Sequence, residues 1–313
     1  MEGGKLAKPR QLSLDNLKDP LFLDSKLIDV IMKKKIILVV AVLAILITLI
    51  CIPKTTYQKW FGKTPNDNPV DTNKEYQTIF VVDEKNKLVG LKVPVEEIEE
   101  DQIAQKWNLL TSQMNKIPQG YSSPITPSTV LNDYKIEDNK LILNVSEDIL
   151  RSSGRLAIES LAWTFCNDEI KEVVLRVDEN VVNLISDYQF NKISKEIGTN
   201  FTYETSYLFE ADYTTVVFYE NDFILPVTYF YKDINEYDFM ISKIFSENNI
   251  ELTDYTYTID NENLVIQIND NITMSDSLKQ TLEETVKLNF SVDAMTVNGV
   301  DTVLYEKTFV EVN

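Results

Sequence analysis

The sequence predicts an α+β protein: two tandem small α/β domains, each ββαββαβ with two helices on a mixed sheet, following a single N-terminal transmembrane helix. Three observations carry this. An uncharged apolar run fills residues Ile36–Ile52. From Tyr76 to Asp178, short alternating apolar segments and two stretches of helical spacing follow one another. The same succession recurs from Tyr213 onward.

The run IILVVAVLAILITLICI is 17 residues. It measures about 25 Å as a helix, at the short end of what spans a bilayer. Lys33–Lys35 abut it and Pro53 closes it. Lys18, Lys26 and Lys33–Lys35 on one side outweigh Lys54, Lys59 and Lys63 on the other, which places the N-terminus in the cytoplasm and the bulk of the chain outside. Residues 1–35 are then a cytoplasmic tail and 36–52 the span. Met32 opens a stretch that also reads as a signal-peptide start, but no small-residue cleavage pattern follows. Ile50 before Cys51 is the wrong residue for lipoprotein processing, so the retained anchor is the main reading and a lipidated Cys51 the minor one. Residues 53–74, with KTPNDNPVDTNK, read as a linker.

The first domain is expected over residues 75–184. Thr78–Val82 and Leu88–Val95 are strands around a turn at Asp83–Lys87. Glu96–Asp101 is the acidic first turn of a helix that continues with Ile103, Trp107, Leu110 and Met114 at helical spacing. Thr129–Ile136 and Lys140–Val145 form a hairpin about Glu137-Asp138-Asn139. Ser152–Cys166 is a second helix, and Val173, Leu175 and Val177 alternate in a closing strand.

The second domain is expected over 213–313. YTTVVFY (Tyr213–Tyr219) answers YQTIFVV (Tyr76–Val82), and DYTYTIDNENLVIQI (Asp254–Ile268) answers DYKIEDNKLILNV (Asp133–Val145). Helices follow at Tyr237–Glu247 and Ser277–Phe290, and Met295–Asn298 matches Leu175–Asp178. Residues 185–212 join the two and are too apolar for a floppy linker, so they are expected to pack between the repeats.

Five stretches of the first repeat carry a family resemblance: Trp107-Asn108-Leu109-Leu110, Ile117-Pro118-Gln119-Gly120, Leu143-Asn144-Val145-Ser146-Glu147, Leu161-Ala162-Trp163-Thr164-Phe165 and Val177-Asp178-Glu179. Together they resemble the GerM domain of sporulation and spore-germination proteins. Glu179 stands where that family favours Gly, whereas the second repeat has Asn298-Gly299 at the corresponding strand end. The resemblance implies a small α/β domain akin to ring-building motifs, acting as an interaction module in the bacterial envelope. It carries over no catalytic residue and no cofactor.

Charge and composition narrow the chemistry. Residues 53–313 hold 22 Lys/Arg against 44 Asp/Glu, which repels nucleic-acid phosphates and anionic lipid headgroups. The absence of His excludes the Ser-His-Asp and Cys-His nucleophile arrangements. No Gly-rich phosphate loop is present. Cys166 ends an apolar helix face and reads as a small buried hydrophobe. The acid pairs Glu96-Glu97, Glu99-Glu100 and Asp168-Glu169 would serve a carboxylate-dependent wall or polysaccharide enzyme, the alternative reading, but they read more simply as solvated helix starts. A tail reporting to the cytoplasm is a third possibility.

Aromatics crowd the start of the second repeat, and Tyr229, Phe230 and Tyr231 are the candidate partner-binding residues. The expected function is a non-enzymatic envelope module that binds an envelope protein or peptidoglycan, with homo-oligomerisation open. No catalytic or metal-ligating residue is expected.

Overall fold

In the computed structural model the described residues are 75–202, 211–220 and 223–309. The expected tail, the span at 36–52, the linker at 53–74 and Cys51 lie outside them. Among the described residues no helix is long and apolar enough to cross a membrane. All of them fall in one unit of the chain, Asn73–Asn313.

The first repeat opens with an antiparallel pair, β1 (Glu75–Asp83) and β2 (Leu88–Val95), in register from Glu75 opposite Val95 to Val82 opposite Leu88. Its turn is fixed by the Asp83 carboxylate, which accepts from the Lys85 and Lys87 amides at 2.8 Å each. Helix α1 (Gln102–Leu110) begins later than the acidic run. Asp101 is its N-cap and accepts from the Ala104 amide at 2.9 Å, so Glu96–Glu100 precede the helix rather than form its first turn. A carboxylate satisfies a first-turn donor best from the capping position, which fixes the start there. Trp107, Leu109 and Leu110 are buried beneath α1.

The Pro118–Tyr121 turn, with Gly120 at φ +94°, leads into the short β3 (Tyr121–Ser122). Then β4 (Leu131–Glu137) and β5 (Lys140–Val145) form a hairpin. Asp138 and Asn139 hold its tip at φ +50° and +59°, the left-handed pair that matches strand twist. Helix α2 (Gly154–Phe165) crosses over to β6 (Glu172–Val177), which lies parallel to β5. A second tight turn, Asp178-Glu179 at φ +48° and +64°, leads to β7 (Asn180–Val181). Glu179 therefore occupies a backbone conformation that Gly adopts with less strain, the residue the GerM pattern favours there. The small hairpin β8 (Leu184–Ile185) and β9 (Tyr188–Gln189) follows.

The second repeat retraces this path. The pair β10 (Asp212–Glu220) and β11 (Phe223–Tyr231) leads to α3 (Glu236–Glu247), capped by Asn235. The hairpin β12 (Tyr255–Asp260) and β13 (Asn263–Ile268) turns at Asn261-Glu262, again at positive φ. Helix α4 (Asp276–Asn289), capped by Ser275, crosses to β14 (Ala294–Asn298), parallel to β13, and β15 (Val303–Thr308) closes the sheet.

Each repeat was expected to place its strands in one mixed sheet. The structure divides them. The four-stranded sheets β4-β5-β6-β7 and β12-β13-β14-β15 are mixed, while the opening pairs of both repeats join in one five-stranded sheet, β10-β11-β2-β1-β3. The reason lies at the strand edges. Helix α2 lies along β1, where Thr164 Oγ1 accepts from the Phe80 amide at 3.0 Å and Ser160 Oγ donates to its carbonyl at 2.5 Å. Helix α4 does the same for β10: Thr285 Oγ1 accepts from the Val217 amide at 3.0 Å and Thr281 Oγ1 from the Tyr219 amide at 3.1 Å. Thr164 and Thr285, like Ser160 and Thr281, are corresponding positions of the repeat. These hydroxyls satisfy edge donors that a neighbouring strand would otherwise take. Apart from the short pairing of β1 with β3, the edges left are those of β2 and β11, and they meet.

The seam between them is short, with Phe223 opposite Leu91 and Ile224 opposite Gly90. Beyond it the connecting segment takes over. The Thr228 amide donates to the Thr199 carbonyl and the Thr202 amide to the Thr228 carbonyl, both at 2.9 Å. The side chain of Asn200 bridges the strands, accepting from the Leu88 amide at 2.8 Å and donating to the carbonyls of Leu88 at 2.7 Å and Pro226 at 2.8 Å. Ile185, Phe190 and Ile193 of the same segment are buried in the first core, which also takes in Val217 from β10. A second core gathers Met240, Ile244, Phe245, Leu264, Leu282 and Val297 with their neighbours.

Candidate functional site

The candidate residues on β11 divide by strand alternation. Tyr229 is 9% exposed and belongs to the second core, edge-on to Phe218 at 6.4 Å and Phe239 at 6.3 Å, with the Lys243 ammonium 5.0 Å from its ring. Burial raises its phenol pKa, and Glu247 adds to the shift. Tyr231, on the same face, is half-buried and stacks on Phe239 at 5.2 Å. Burial, Glu236 and Asp212 push its phenol up to about 12. Phe230 points to the opposite face, where it meets Phe201 at 5.5 Å and Tyr213 at 6.2 Å. These rings are packed against their own repeat or the connecting segment, and they do not form one surface.

A larger feature lies where the repeats meet. A groove of about 560 Å³ runs between the C-terminal ends of α2 and α4, floored by β10 and flanked by Ser194–Glu196. Both repeats supply its walls. Trp163, Cys166, Asp168 and Ile170 come from the first, Thr214, Thr215, Glu284, Lys287 and Asn289 from the second. It is local relief in an acidic protein, for Lys171, Lys195 and Lys287 balance Asp168, Glu196 and Glu284.

Most of these groups are engaged. Lys287 pairs with Asp168 at 2.5 Å and Glu196 with Lys192 at 2.7 Å. Asn289 donates to the carbonyls of Thr215 and Thr285 and accepts from Thr214 Oγ1 at 3.3 Å. Cys166 is 6% exposed, and burial pushes its thiol up to about 11, as befits a packing residue. Lys195 differs. Its ammonium lies 5.2 Å from the Trp163 ring and forms no ion pair or hydrogen bond with a described residue. Burial lowers its pKa, against an opposing contribution from Glu284. Lys106, behind it, is lowered by burial and by the Lys195 charge.

The acid pairs read as helix starts sit elsewhere or are paired: Glu96–Glu100 precede α1, and Asp168 is held by Lys287. Among the described residues no three Cys, Asp or Glu converge in a metal-binding arrangement. Little in the sequence points to the groove, since its residues come from four separate segments. The one local signal was Ser194-Lys195, a polar pair inside the apolar connecting segment.

A repeated α/β unit, joined through a common sheet with its junction open to solvent, defines a tandem-domain protein. Comparison with known proteins shows what this class resembles. Residues 78–183 match the family model Germane, described as sporulation and spore germination. Among solved structures, the tandem GerMN domains of the sporulation protein GerM from Bacillus subtilis superpose with a TM-score of 0.61 at 16% identity, covering 73% of this chain and 92% of that one. The first GerMN domain of the same protein alone covers 39% of this chain and 98% of its own, at 16% identity and a TM-score of 0.36. No curated protein matches the sequence. Residues 78–183 thus resemble the sporulation and spore-germination family, and the chain shares the fold of tandem GerMN domains.

Proposed function

We propose that this chain is a non-enzymatic, membrane-anchored module of the bacterial envelope, serving sporulation or germination by binding an envelope protein or peptidoglycan outside the membrane. The observation that carries the reading is the junction groove. Two GerM-like repeats share one sheet and build a single concave surface whose acids are mostly paired. Positioned charges that neutralise each other suit recognition better than proton transfer, which needs a free acid or base at the reacting atom. The uncharged run at Ile36–Ile52 supplies the anchor in this reading.

The experiment is site-specific photocrosslinking in cells that make the full chain, with the photoreactive residue at Lys171 on the groove rim and a control at Glu306. A discrete adduct from Lys171 but not Glu306, to an envelope protein or to sedimenting wall material, is the expected result. Equal labelling at both positions, or none at either, overturns the reading. Externally added protease that spares the described region in intact protoplasts overturns its placement outside.

A further inference from the structure

The groove holds donors without acceptors. Ser194 is 1% exposed and Trp163 4%, yet Ser194 Oγ and Trp163 Nε1 have no hydrogen-bond partner. Both residues line the groove. Lys195 also lines the groove, and its ammonium lies 5.2 Å from the Trp163 ring with no carboxylate within ion-pair distance among the described residues. Buried polar atoms are almost always paired, and an ammonium withdrawn from water needs a counter-charge. A hydroxyl, an indole N–H and an ammonium on one wall are three donors, and a carboxylate presents acceptors to match.

The opposite side of the groove indicates what bears that carboxylate. Val217 and Tyr219 send their amides outward from β10 to the hydroxyls of α4. By the two-residue period of a strand, Tyr213 and Thr215 face the same edge. The Thr215 carbonyl is taken by Asn289, but no helix hydroxyl caps the amides of Tyr213 or Thr215. Among the described residues this end of β10 is an unpaired strand edge bordering the groove, and an extended peptide adds to such an edge through its backbone.

We infer that the junction groove binds an extended peptide whose carboxylate seats on Lys195, Ser194 Oγ and Trp163 Nε1, while its backbone pairs with β10 at Tyr213–Thr215. The inference rests on the proposed binding role and names the partner's chemistry. Glu284 on the facing wall is an opposing charge and sets the selectivity. It repels a surplus of anions and favours a ligand bearing a single, well-placed carboxylate.

The test is calorimetric titration of the full chain in detergent with three synthetic probes. They are acetyl-tetraalanine with a free C-terminal carboxylate, the same peptide as its C-terminal amide, and an amide-capped peptide with one internal Glu. The free acid is expected to bind about tenfold or more tightly than the simple amide, the range set by one charge-assisted contact. The Glu peptide separates a side-chain carboxylate from a chain end. Whichever acid-bearing probe binds is expected to weaken about tenfold or more with Lys195→Met, to recover substantially with Lys195→Arg, and to tighten with Glu284→Gln. The opposite signs at positions 195 and 284 are not produced by a loss of folding, and Ser194→Ala provides a smaller change of the same sign as Lys195→Met. Equal binding of acid and amide, no binding of any probe, or indifference to Lys195→Met overturns the inference. Crosslinking from Lys171 to an envelope partner with no peptide binding would overturn it while leaving the module reading intact.

Discussion

Replacing Asn200 tests the idea that one side chain completes the sheet between the repeats. Its amide makes three hydrogen bonds of 2.7–2.8 Å, two to Leu88 and one to Pro226, at a point where β2 and β11 have already diverged. Each is worth about 0.5–1.5 kcal/mol net, and removing the group leaves a donor and two acceptors of strands β2 and β11 without partners. The expected loss is about 3 kcal/mol. Backbone conformation must be separated from this, because Asn200 sits at φ +48°. Glycine removes the side chain and relieves the left-handed strain, while its greater freedom in the unfolded chain acts the other way by a similar amount of about 1 kcal/mol. Asn200→Gly therefore reports the hydrogen bonds nearly alone. Asn200→Ala keeps the Cβ that Asn already places in the left-handed region and leaves the freedom of the unfolded chain unchanged, so it is expected to lose about the same 3 kcal/mol. Urea unfolding of the purified chain gives the magnitudes, and amide exchange at Leu88 locates them. A loss below about 0.5 kcal/mol for Asn200→Gly, with Leu88 protection unchanged, would refute the bridging role.

Other perturbations probe neighbouring links. Thr285→Val keeps the shape of a fully buried side chain but leaves the Val217 amide without its acceptor, so a loss of about 1–3 kcal/mol is expected in denaturant unfolding, with Thr285→Ser close to wild type. A Cβ on Gly90 would lie 2.8 Å and 2.9 Å from atoms of the Phe80 ring and 3.0 Å from Ile224 Cβ. Gly90→Ala should cost about 1–3 kcal/mol by prying β2 from β11, and a smaller residue at Phe80 should return part of it; an unchanged unfolding midpoint would disprove the close packing. Cys166 gives a pH signature. Its thiol is raised from 9.0 to about 11 in the folded protein, so its contribution is complete below pH 9 and is lost as pH rises through 11. The stability difference between wild type and Cys166→Ala should shrink by about 2–3 kcal/mol across that window, and a difference that stays flat would contradict the burial.

The fold was legible because its signals are local. The Asp138-Asn139 and Asn261-Glu262 turns, the apolar faces of α2 and α4, and the recurring Asp-Tyr at Asp133-Tyr134 and Asp254-Tyr255 sit within a few residues of what they specify. The separation of the opening strand pairs from the two mixed sheets was not legible, because it depends on hydroxyls that periodicity does not register. Thr164, Thr281 and Thr285 look like indifferent helix residues, yet each meets a strand amide many residues away. The start of α1 was misplaced for a related reason. A run of acids reads as a helical first turn, but the cap is decided by which carboxylate reaches the Ala104 amide, and that is Asp101. The same blindness moved the aromatic argument. Tyr229, Phe230 and Tyr231 are adjacent in sequence and divide between two faces in the strand.

The hydroxyl caps also set where the proposed peptide meets β10. Along β10 they occupy Val217 and Tyr219 and stop short of Thr215. Helix α4 ends at Asn289, whose amide takes the Thr215 carbonyl, and no described residue takes the amides of Tyr213 or Thr215 on that edge. Among the described residues, the edge that would invite indiscriminate pairing is thus closed at Val217 and Tyr219 and left without a partner beside Lys195 and Ser194. Because α2 and the connecting segment build one wall, and β10 and α4 the other, any shift at the β2–β11 seam changes the width of the groove. Loosening that seam with Asn200→Gly should therefore weaken capture of an acid-bearing peptide as well as stability, even though Asn200 does not line the groove. A variant that unfolds more readily yet binds the peptide with unchanged affinity would show that the groove holds its shape without the shared sheet.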